Sequence, residues 1–426
     1  MTKKTGAQGA GKKLSVIVIG AGMVGVSTAI WLQRAGHKVT LIDRIGPAGG
    51  TSYGNAGILA SSSVVPVTTP GLIGKAPRML FDPNQPLFLK WGYLPRLMPW
   101  LMRYLGHANS ADANRIADAM APIIGDSLAD HQTLAEGTGA ESFITPADYA
   151  YTYKSRADFE KDAFTFAIRK RLGFKWREYE GDAVSSYEPA VAGRAGFIAA
   201  MADHGYLKSP GDYITALVRH FEKQGGRLVV ADVDAVSREG GMVTGVAAGG
   251  EWHHADRVAI TTGVWSGALT KQFGLRVPLE SERGYHVELW NPSHTPKRPL
   301  FIASGKFVIT PMAGRIRLAG VVEFGGLKAG QSKAPFALLR RQLKENMPEL
   351  TWDEETEWMG HRPAPVDSIP VISEVPGYKG AFVGFGHHHV GLTGGPKTGR
   401  LLAGMISGQR PNIDLETYSV ERFMKN

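Results

Sequence analysis

The residues whose types and spacing first suggest chemistry are three glycines and an acid near the N-terminus. Gly20-x-Gly22-x-x-Gly25 follows the apolar run Leu14 to Ile19 and opens a stretch in which Val26, Ala29 and Ile30 recur at helical spacing; Asp43 closes the next apolar run, 18 residues after Gly25. Three spaced glycines alone say little. Set between a buried strand and a helix, and answered by an acid after the next strand, they meet the requirements of a dinucleotide-binding turn. Gly20 makes the tight turn, Gly22 lets backbone approach a pyrophosphate, and Gly25 lets helix pack on strand. The helix start, at Met23 and Val24, brings positive potential to the phosphates, and Asp43 would accept from a ribose hydroxyl. A glycine turn without a ligand is the competing reading, and the strand-turn-helix-strand order argues against it.

His387, His388 and His389 invite a metal reading. Adjacent histidines on one turn point in different directions, and no acid or cysteine completes a ligand set, so no metal is expected. The chain has no cysteine. That removes disulfides, thiolate metal sites, cysteine nucleophiles and any cofactor tethered through sulfur. Redox chemistry would need a borrowed cofactor.

The elements that must position these groups alternate along the chain. In 426 residues there is more than one hydrophobic core usually spans, so two domains are expected. Leu14 to Ile19, Val39 to Ile42, Arg227 to Val230, Val258 to Thr262 and Ala381 to Phe385 are short apolar runs, as in buried parallel strands. Helical patterns cover Val24 to Ala35, residues 111–136 and 156–171, a stretch opened by Ser209-Pro210 and running to about Gln224, and Pro396 to Ser407. Residues 284–290 and 306–322 alternate in polarity as antiparallel strands do, the second stretch turning at Ala313-Gly314. The pattern predicts an α/β fold: a parallel sheet split by an antiparallel second domain.

The net charge of +9 raises nucleic acid as a partner, but no basic cluster is interleaved with aromatics and none is expected to bind it. Lys3, Lys4, Lys12 and Lys13 fall in a Gly/Ala-rich start that reads as a tail. Anionic substrates or an anionic membrane surface suit the remaining excess. There is no apolar signal core with a cleavage site, and prolines 47, 66 and 70 interrupt the uncharged stretch 46–74, so neither a secretory signal nor a spanning helix is expected. The expected location is cytoplasmic, with peripheral contact at the inner face of the membrane through residues 71–106. That segment carries Lys75, Arg78, Lys90, Trp91, Arg96 and Arg103. It would either lie on an anionic surface or form a lid with its apolar face inward, and Pro95 and Pro99 limit any helix there.

The glycine turn does not choose between NAD and FAD; later segments do. Asp43-Arg44 followed by Gly49-Gly50-Thr51-Ser52-Tyr53-Gly54-Asn55-Ala56-Gly57 resembles the D-amino-acid dehydrogenase branch of the D-amino-acid oxidase-like flavoprotein family. Thr261-Thr262-Gly263-Val264-Trp265-Ser266 resembles the family's second flavin segment. Gly360-His361-Arg362-Pro363-x-x-Val366-Asp367-x-x-Pro370 resembles a third, with Val366 in place of a proline. Gly386-His387-His388-His389-Val390-Gly391-Leu392-Thr393 resembles the closing flavin-contact turn. The matches keep the family's order from about residue 14 to 410.

This resemblance implies an FAD-binding Rossmann-like domain built from residues 12–65, 200–275 and 361–426, with an antiparallel-sheet substrate domain inserted as 66–199 and 276–360. FAD would be bound non-covalently. Thr51 and Ser52 would donate to the pyrophosphate, and Asn55, Ala56 and Gly57 would run under the isoalloxazine ring. The Val233 backbone would hold the adenine, and Gly263 and Trp265 would line the cofactor, with Arg44, Arg362, Gly386, His387 and Val390 also at the cofactor. Gly391, Leu392 and Thr393 would offer backbone donors to the flavin edge that gains negative charge. The activity implied is hydride removal from a D-amino acid or a cyclic imino acid of D-proline or hydroxy-D-proline type, with a quinone or oxygen as final electron acceptor. The alternatives are a sarcosine- or glycine-type amine oxidase, an FAD-carrying subunit of a hetero-oligomeric dehydrogenase, and an NAD-dependent dehydrogenase. Family members hold the substrate carboxylate with a tyrosine and an arginine. Tyr285 matches the tyrosine, whereas Pro311 or Met312 stands where the arginine is expected. Arg315 and Arg317 match a structural pattern, so the anchor would come from elsewhere, such as Arg78 or His361. His388 or His389 would touch substrate.

Overall fold

A computed structural model describes residues 13–74, 82 and 84–424. Lys3, Lys4, Lys12, Lys75 and Arg78 lie outside the described residues. A six-stranded sheet runs in the order Arg227–Val230, Lys38–Asp43, Ser15–Ile19, Arg257–Ile260, Ala381–Phe385, Val371–Glu374. All neighbours are parallel except the last pair. Both faces are covered, which is why its central strand Ser15–Ile19 reads as continuous apolar residues. Val16 and Val18 pack under the helices Met23–Arg34, Pro210–Lys223 and Gly395–Ile406. Ile17 and Ile19 pack on the other side, with Val236 and Val246 of a small antiparallel sheet formed by Val233–Glu239, Met242–Ala248 and Glu251–His254.

A nine-stranded sheet forms the second layer system; its edge strand Glu354–Pro365 pairs with Leu279–Trp290, which pairs in turn with Arg315–Phe324. Side chains alternate across it. Tyr285, Val287, Leu289, Ile316 and Leu318 face the helix Lys333–Asn346, where Phe336, Leu339 and Leu343 complete a core. Arg317, Glu288 and His286 face the loop carrying Tyr53 to Asn55.

The reading of 111–136 as one helix is corrected. The chain breaks into Ser110–Ile124 and Ser127–Ala135 at Asp126, whose φ of −102 and ψ of 27 leave the helical region; Pro122 lies inside the first helix, and the Gly125 N–H still donates to the Ala121 carbonyl at 2.8 Å. The 156–171 pattern likewise splits into Arg156–Glu160 and Ala163–Arg171. Ser209 stands at the start of its helix, but its hydroxyl donates to Asp212 at 2.7 Å instead of capping a backbone N–H. The prolines near residue 95 do not prevent a helix: Leu94–Gly106 is continuous. Pro95 falls in the first turn, where its missing N–H costs nothing. Pro99 frees one carbonyl on a face open to water, since both prolines are exposed.

A buried ion-pair cluster ties the two sheets' connecting loop to the large sheet. Glu288 Oε1 accepts from Arg317 Nη2 at 2.7 Å and from Arg315 Nε. Arg317 Nη1 in turn donates to the carbonyls of Tyr53 and Asn55. Arg315 and Arg317 are therefore structural, as their strand pattern implied. Removing the shared acid, as in Glu288→Gln, leaves two buried guanidiniums uncompensated. Unfolding free energy should fall by about 3–5 kcal/mol, measured by urea unfolding, whereas a loss under ~1 kcal/mol would show that water already compensates the pair.

Candidate active site

One cavity of about 970 Å³ runs from the glycine turn to the face of the large sheet. At its first end the geometry explains the three glycines. Gly20 has φ +106, and a Cβ there would sit 2.7 Å from the Thr261 carbonyl oxygen. A Cβ on Gly25 would lie 1.8 Å from the Gly20 carbonyl oxygen. Asp43 holds the turn: Oδ2 accepts from the Ala21 N–H at 2.7 Å, and Oδ1 from Ile45 and Gly46 at 2.9 and 3.0 Å. Ser52 Oγ accepts from the Met23 N–H at 3.1 Å, which leaves its own proton to donate. Arg44 stacks 4.0 Å over Trp265.

The cavity wall contains Gly20, Gly22, Met23, Val24, Asp43, Arg44, Thr51, Ser52, Asn55 and Ala56. It continues with Val233, Gly263, Trp265, Arg362 and the turn residues Gly386, His387, Val390, Gly391, Leu392 and Thr393. Sequence positions far apart thus meet in one space. Gly25 and Gly57 stand behind this wall. Gly25 is the helix-packing glycine, while Gly57, with φ +77, is walled in by the Leu207 carbonyl and the Met312 Cε, each 3.0 Å from a Cβ placed there. The closing turn ends at the helix Gly395–Ile406, whose N-terminus brings positive potential. The N–H groups of Leu392 and Thr393 donate to no described residue. His387 is a buried pin whose Nε2 lies 2.8 Å from Thr398 Oγ1, and burial pushes it down to about 4.

Three expected roles need correction. The Thr51 hydroxyl is not free for a phosphate, because it donates to the His361 carbonyl at 2.6 Å. His361 itself is turned from the cavity: strand alternation puts Trp358, Gly360 and Arg362 on the wall and His361 on the opposite face, with Nδ1 2.8 Å from Ser281 Oγ. Tyr285 borders the cavity, but its hydroxyl donates to Glu323 at 2.6 Å and accepts from the Ser332 N–H at 3.1 Å. Burial and the Glu323 carboxylate push that hydroxyl up to about 12. Tyr285→Phe should therefore change KM by less than ~3-fold while lowering stability by about 1–3 kcal/mol, since Glu323 loses a buried donor; a KM rise of ~10-fold or more would restore Tyr285 as a substrate anchor.

The far end holds groups that sequence reasoning missed. Glu282, on the strand Leu279–Trp290, reaches within 3.2 Å of His388 Nε2. Both are buried and both line the cavity. Burial raises the Glu282 carboxyl, but His388, Arg362 and His389 outweigh that and hold it below the usual carboxylate range. The Tyr104 ring stacks on His388 with centroids 6.2 Å apart. His388 has φ +53, and its Nδ1 is 3.0 Å from His389 Nδ1. The acid the histidine run lacked in sequence is thus supplied by the fold, and among the described residues no group of three His, Cys, Asp or Glu could hold a metal ion. Trp358 is wedged between Gly54 and Gly360, where Cβ atoms would come within 2.0 Å of its ring. Leu94, Leu97 and Leu101 of the helix Leu94–Gly106 close the cavity with their apolar face.

The sequence matches the family model described as FAD dependent oxidoreductase, DAO, over residues 15–405. The chain belongs to this family. It is an oxidoreductase and FAD is its cofactor. A D-amino-acid oxidase of Bradyrhizobium diazoefficiens is 36% identical over 416 residues, covering 96% of this chain and 99% of that protein. A D-amino acid dehydrogenase of the same organism is 28% identical over 422 residues, covering 96% and 99%. The crystal structure of glycine oxidase from Geobacillus kaustophilus superposes with a TM-score of 0.74 at 20% identity, covering 96% of this chain and 99% of that one. The cavity of this oxidoreductase fits the cofactor on its own terms. Glycines open the wall where bulk would block a pyrophosphate, Ser52 keeps a proton to donate, and unpaired backbone N–H groups stand at a helix N-terminus.

Proposed function

We propose that the protein dehydrogenates a D-amino acid or a cyclic imino acid of the D-proline or hydroxy-D-proline type. The observation that carries this reading is the continuity of the cavity, which joins the dinucleotide turn to a leucine-walled chamber containing the Glu282–His388 pair. The two curated relatives, named for D-amino-acid oxidation and dehydrogenation, support it. Gly20, Gly22, Met23, Val24, Asp43 and Ser52 would hold the nucleotide half of FAD; Asn55, Ala56 and the Gly391 to Thr393 backbone would hold the ring. Bound FAD supplies a hydride acceptor. The chain's own part is to present the substrate as a neutral amine, close and aligned. An incoming ammonium meets the Glu282 carboxylate, beside which His388 Nε2 stands at 3.2 Å. Leucines of the helix Leu94–Gly106 keep water out.

The test is an anaerobic visible spectrum titrated with D-amino acids, D-proline, cis-4-hydroxy-D-proline, sarcosine, glycine and the L-forms. Bleaching by a D-amino or D-imino acid is the expected result. Bleaching by sarcosine or glycine alone would replace this reading with an amine oxidase. Readmitting air then separates oxygen from quinone as acceptor, by whether colour returns within seconds.

The same helix supports contact with an anionic membrane surface. Its outer face exposes Met98, Met102, Arg96 and Arg103, Trp91 is exposed just before it, and no acid occurs from residue 83 to 111. No described helix is long and apolar enough to cross a membrane. Sedimentation with phosphatidylglycerol vesicles but not phosphatidylcholine vesicles is expected, and loss of that binding in Arg96→Glu/Arg103→Glu. Equal binding to both would remove the electrostatic contact.

A further inference from the structure

The missing arginine leaves a substrate carboxylate without its usual partner, and the structure offers a replacement from another element. Four lysine and arginine side chains line the cavity: Arg44, Arg169, Lys306 and Arg362. Arg44 is stacked on Trp265 at the nucleotide end. Arg362 faces the charge of Glu282 and donates to the Val321 carbonyl at 3.3 Å. Lys306 is engaged by Gln85 at 3.2 Å. Arg169 differs. Of the four it alone is buried, at 8% exposed, and it has no ion pair with any described carboxylate.

We propose that Arg169, on the helix Ala163–Arg171, is the carboxylate anchor of the substrate chamber. Its Nε donates to the Ser62 carbonyl at 3.1 Å and its Nη1 to Thr165 Oγ1 at 3.1 Å, which fixes the plane of the guanidinium. Nη2 donates to no described residue. The group lies 5.1 Å over Tyr151 and 4.8 Å over Phe166. A buried guanidinium with a free edge and no acid costs free energy unless an anion completes it. Tyr149 and Tyr151 line the same wall, and their hydroxyls also have no partner among the described residues. A tyrosine hydroxyl and a guanidinium edge together suit a carboxylate's two oxygens.

Position favours the same assignment. Tyr149, Tyr151 and Phe166 belong to one packed cluster with Ile58 and Ala60, and Ala56 packs against it. The anchor therefore adjoins the Asn55–Ala56 segment proposed to run under the flavin ring, and the inference rests on that reading of the site. It names the residue that would hold the carboxylate of that substrate and would discriminate against a simple amine.

The test measures binding and does not require turnover. Cyclopentanecarboxylate and its neutral amide are titrated into the holoenzyme and followed by perturbation of the flavin absorption. The natural chain should bind the carboxylate and discriminate against the amide. Arg169→Met, which keeps the stem packed on Tyr151 and Phe166, should weaken the carboxylate roughly 10- to 100-fold and leave the amide unchanged, the range expected for losing a charge-assisted hydrogen bond. Arg169→Lys should recover part of the loss and covers the case in which Arg169→Met fails to retain flavin. Equal carboxylate binding in the natural and Arg169→Met chains, or no preference of the natural chain for carboxylate over amide, overturns the proposal. Carboxylate binding through Arg169 with no D-amino or D-imino acid bleaching the flavin would sink the proposed reaction and keep the anchor. Turnover of D-proline with an unchanged KM in Arg169→Met would do the reverse.

Discussion

Gly25→Ala should yield a protein that purifies without yellow colour. The added Cβ would sit 1.8 Å from the Gly20 carbonyl oxygen and 2.6 Å from Thr261 Oγ1. Neither neighbour can give way cheaply. The first is backbone in a turn that Gly20 makes at φ +106. The second donates to the Ile19 carbonyl at 2.7 Å, pinning the strand Arg257–Ile260 to its neighbour. Relief requires the helix Met23–Arg34 to back away from the sheet, which carries the Val24 N–H out of reach of a pyrophosphate and parts the Met23 N–H from Ser52 Oγ, misaligning that hydroxyl. Overpacking of this kind costs about 1–3 kcal/mol in the fold. The cofactor loses several aligned donors together, so FAD affinity should drop by roughly 100-fold or more. Flavin absorbance per protein after purification, followed by FAD titration, measures both. Gly106→Ala is the matched control, since a Cβ there meets nothing within 4 Å. A Gly25→Ala protein that retains full flavin would show that the turn does not carry the cofactor.

Stability should collapse on mild acidification. Burial holds His131, His204 and His387, and the half-buried His361, down at about 4, and His286 at about 3. In the unfolded chain each titrates near 6.5. Their neutral forms therefore contribute stability that is fully present above about pH 6.5. It is lost as pH falls toward their folded values, because the unfolded chain binds protons that the folded one refuses. Each histidine contributes a slope of about 1.4 kcal/mol per pH unit, so five reach up to roughly 7 kcal/mol per unit below pH 6. Asp130, Glu188 and Glu280, held above the usual carboxylate range by burial, act in the opposite direction, three groups against five. Total stability of such a protein is only about 5–15 kcal/mol. Urea unfolding at a series of pH values should show a plateau near pH 7–8 and a steep fall between pH 6 and 5; a flat profile to pH 4.5 would falsify the buried neutral assignment.

The parts of this molecule that could be read from sequence are those where local chemistry and global position coincide. The run Ser15–Ile19 is apolar because both faces of the sheet are covered, and Gly20, Gly22 and Gly25 are glycine because neighbouring atoms leave no room. Glu282 was not legible as a site residue. It stands in a strand of alternating acids and bulky residues, more than a hundred positions from His388, and only the packing of the His388–Val390 turn against the large sheet brings them together. A signal existed: Glu280, Glu282 and Glu288 share one face of a strand whose other face is Leu279, Val287 and Leu289. That pattern belongs to a strand facing a polar interior. Arg169 carried a misleading signal instead. With Lys170 and Arg171 it ends a helix, where basic residues are favoured by the helix dipole for no functional reason. Tyr285 misled in the other direction, because a match in type and place does not reveal that Glu323 has taken its hydroxyl.

The order of strands in the parallel sheet bears on how the chain is made. Ser15–Ile19 pairs with Arg257–Ile260, which in turn pairs with Ala381–Phe385. When the first βαβ unit leaves the ribosome, the strand that will cover its open edge has not been translated. The far side of Arg257–Ile260 waits longer still. At ~5–20 residues per second the delay runs to tens of seconds. Throughout it the nascent chain presents the edge of Ser15–Ile19, an apolar strand with unpaired backbone groups, of the kind that templates aggregation. Overproduction should therefore favour slow synthesis, low temperature and chaperone capture, and truncation before residue 381 should send the product into inclusion bodies even though the glycine turn itself is intact.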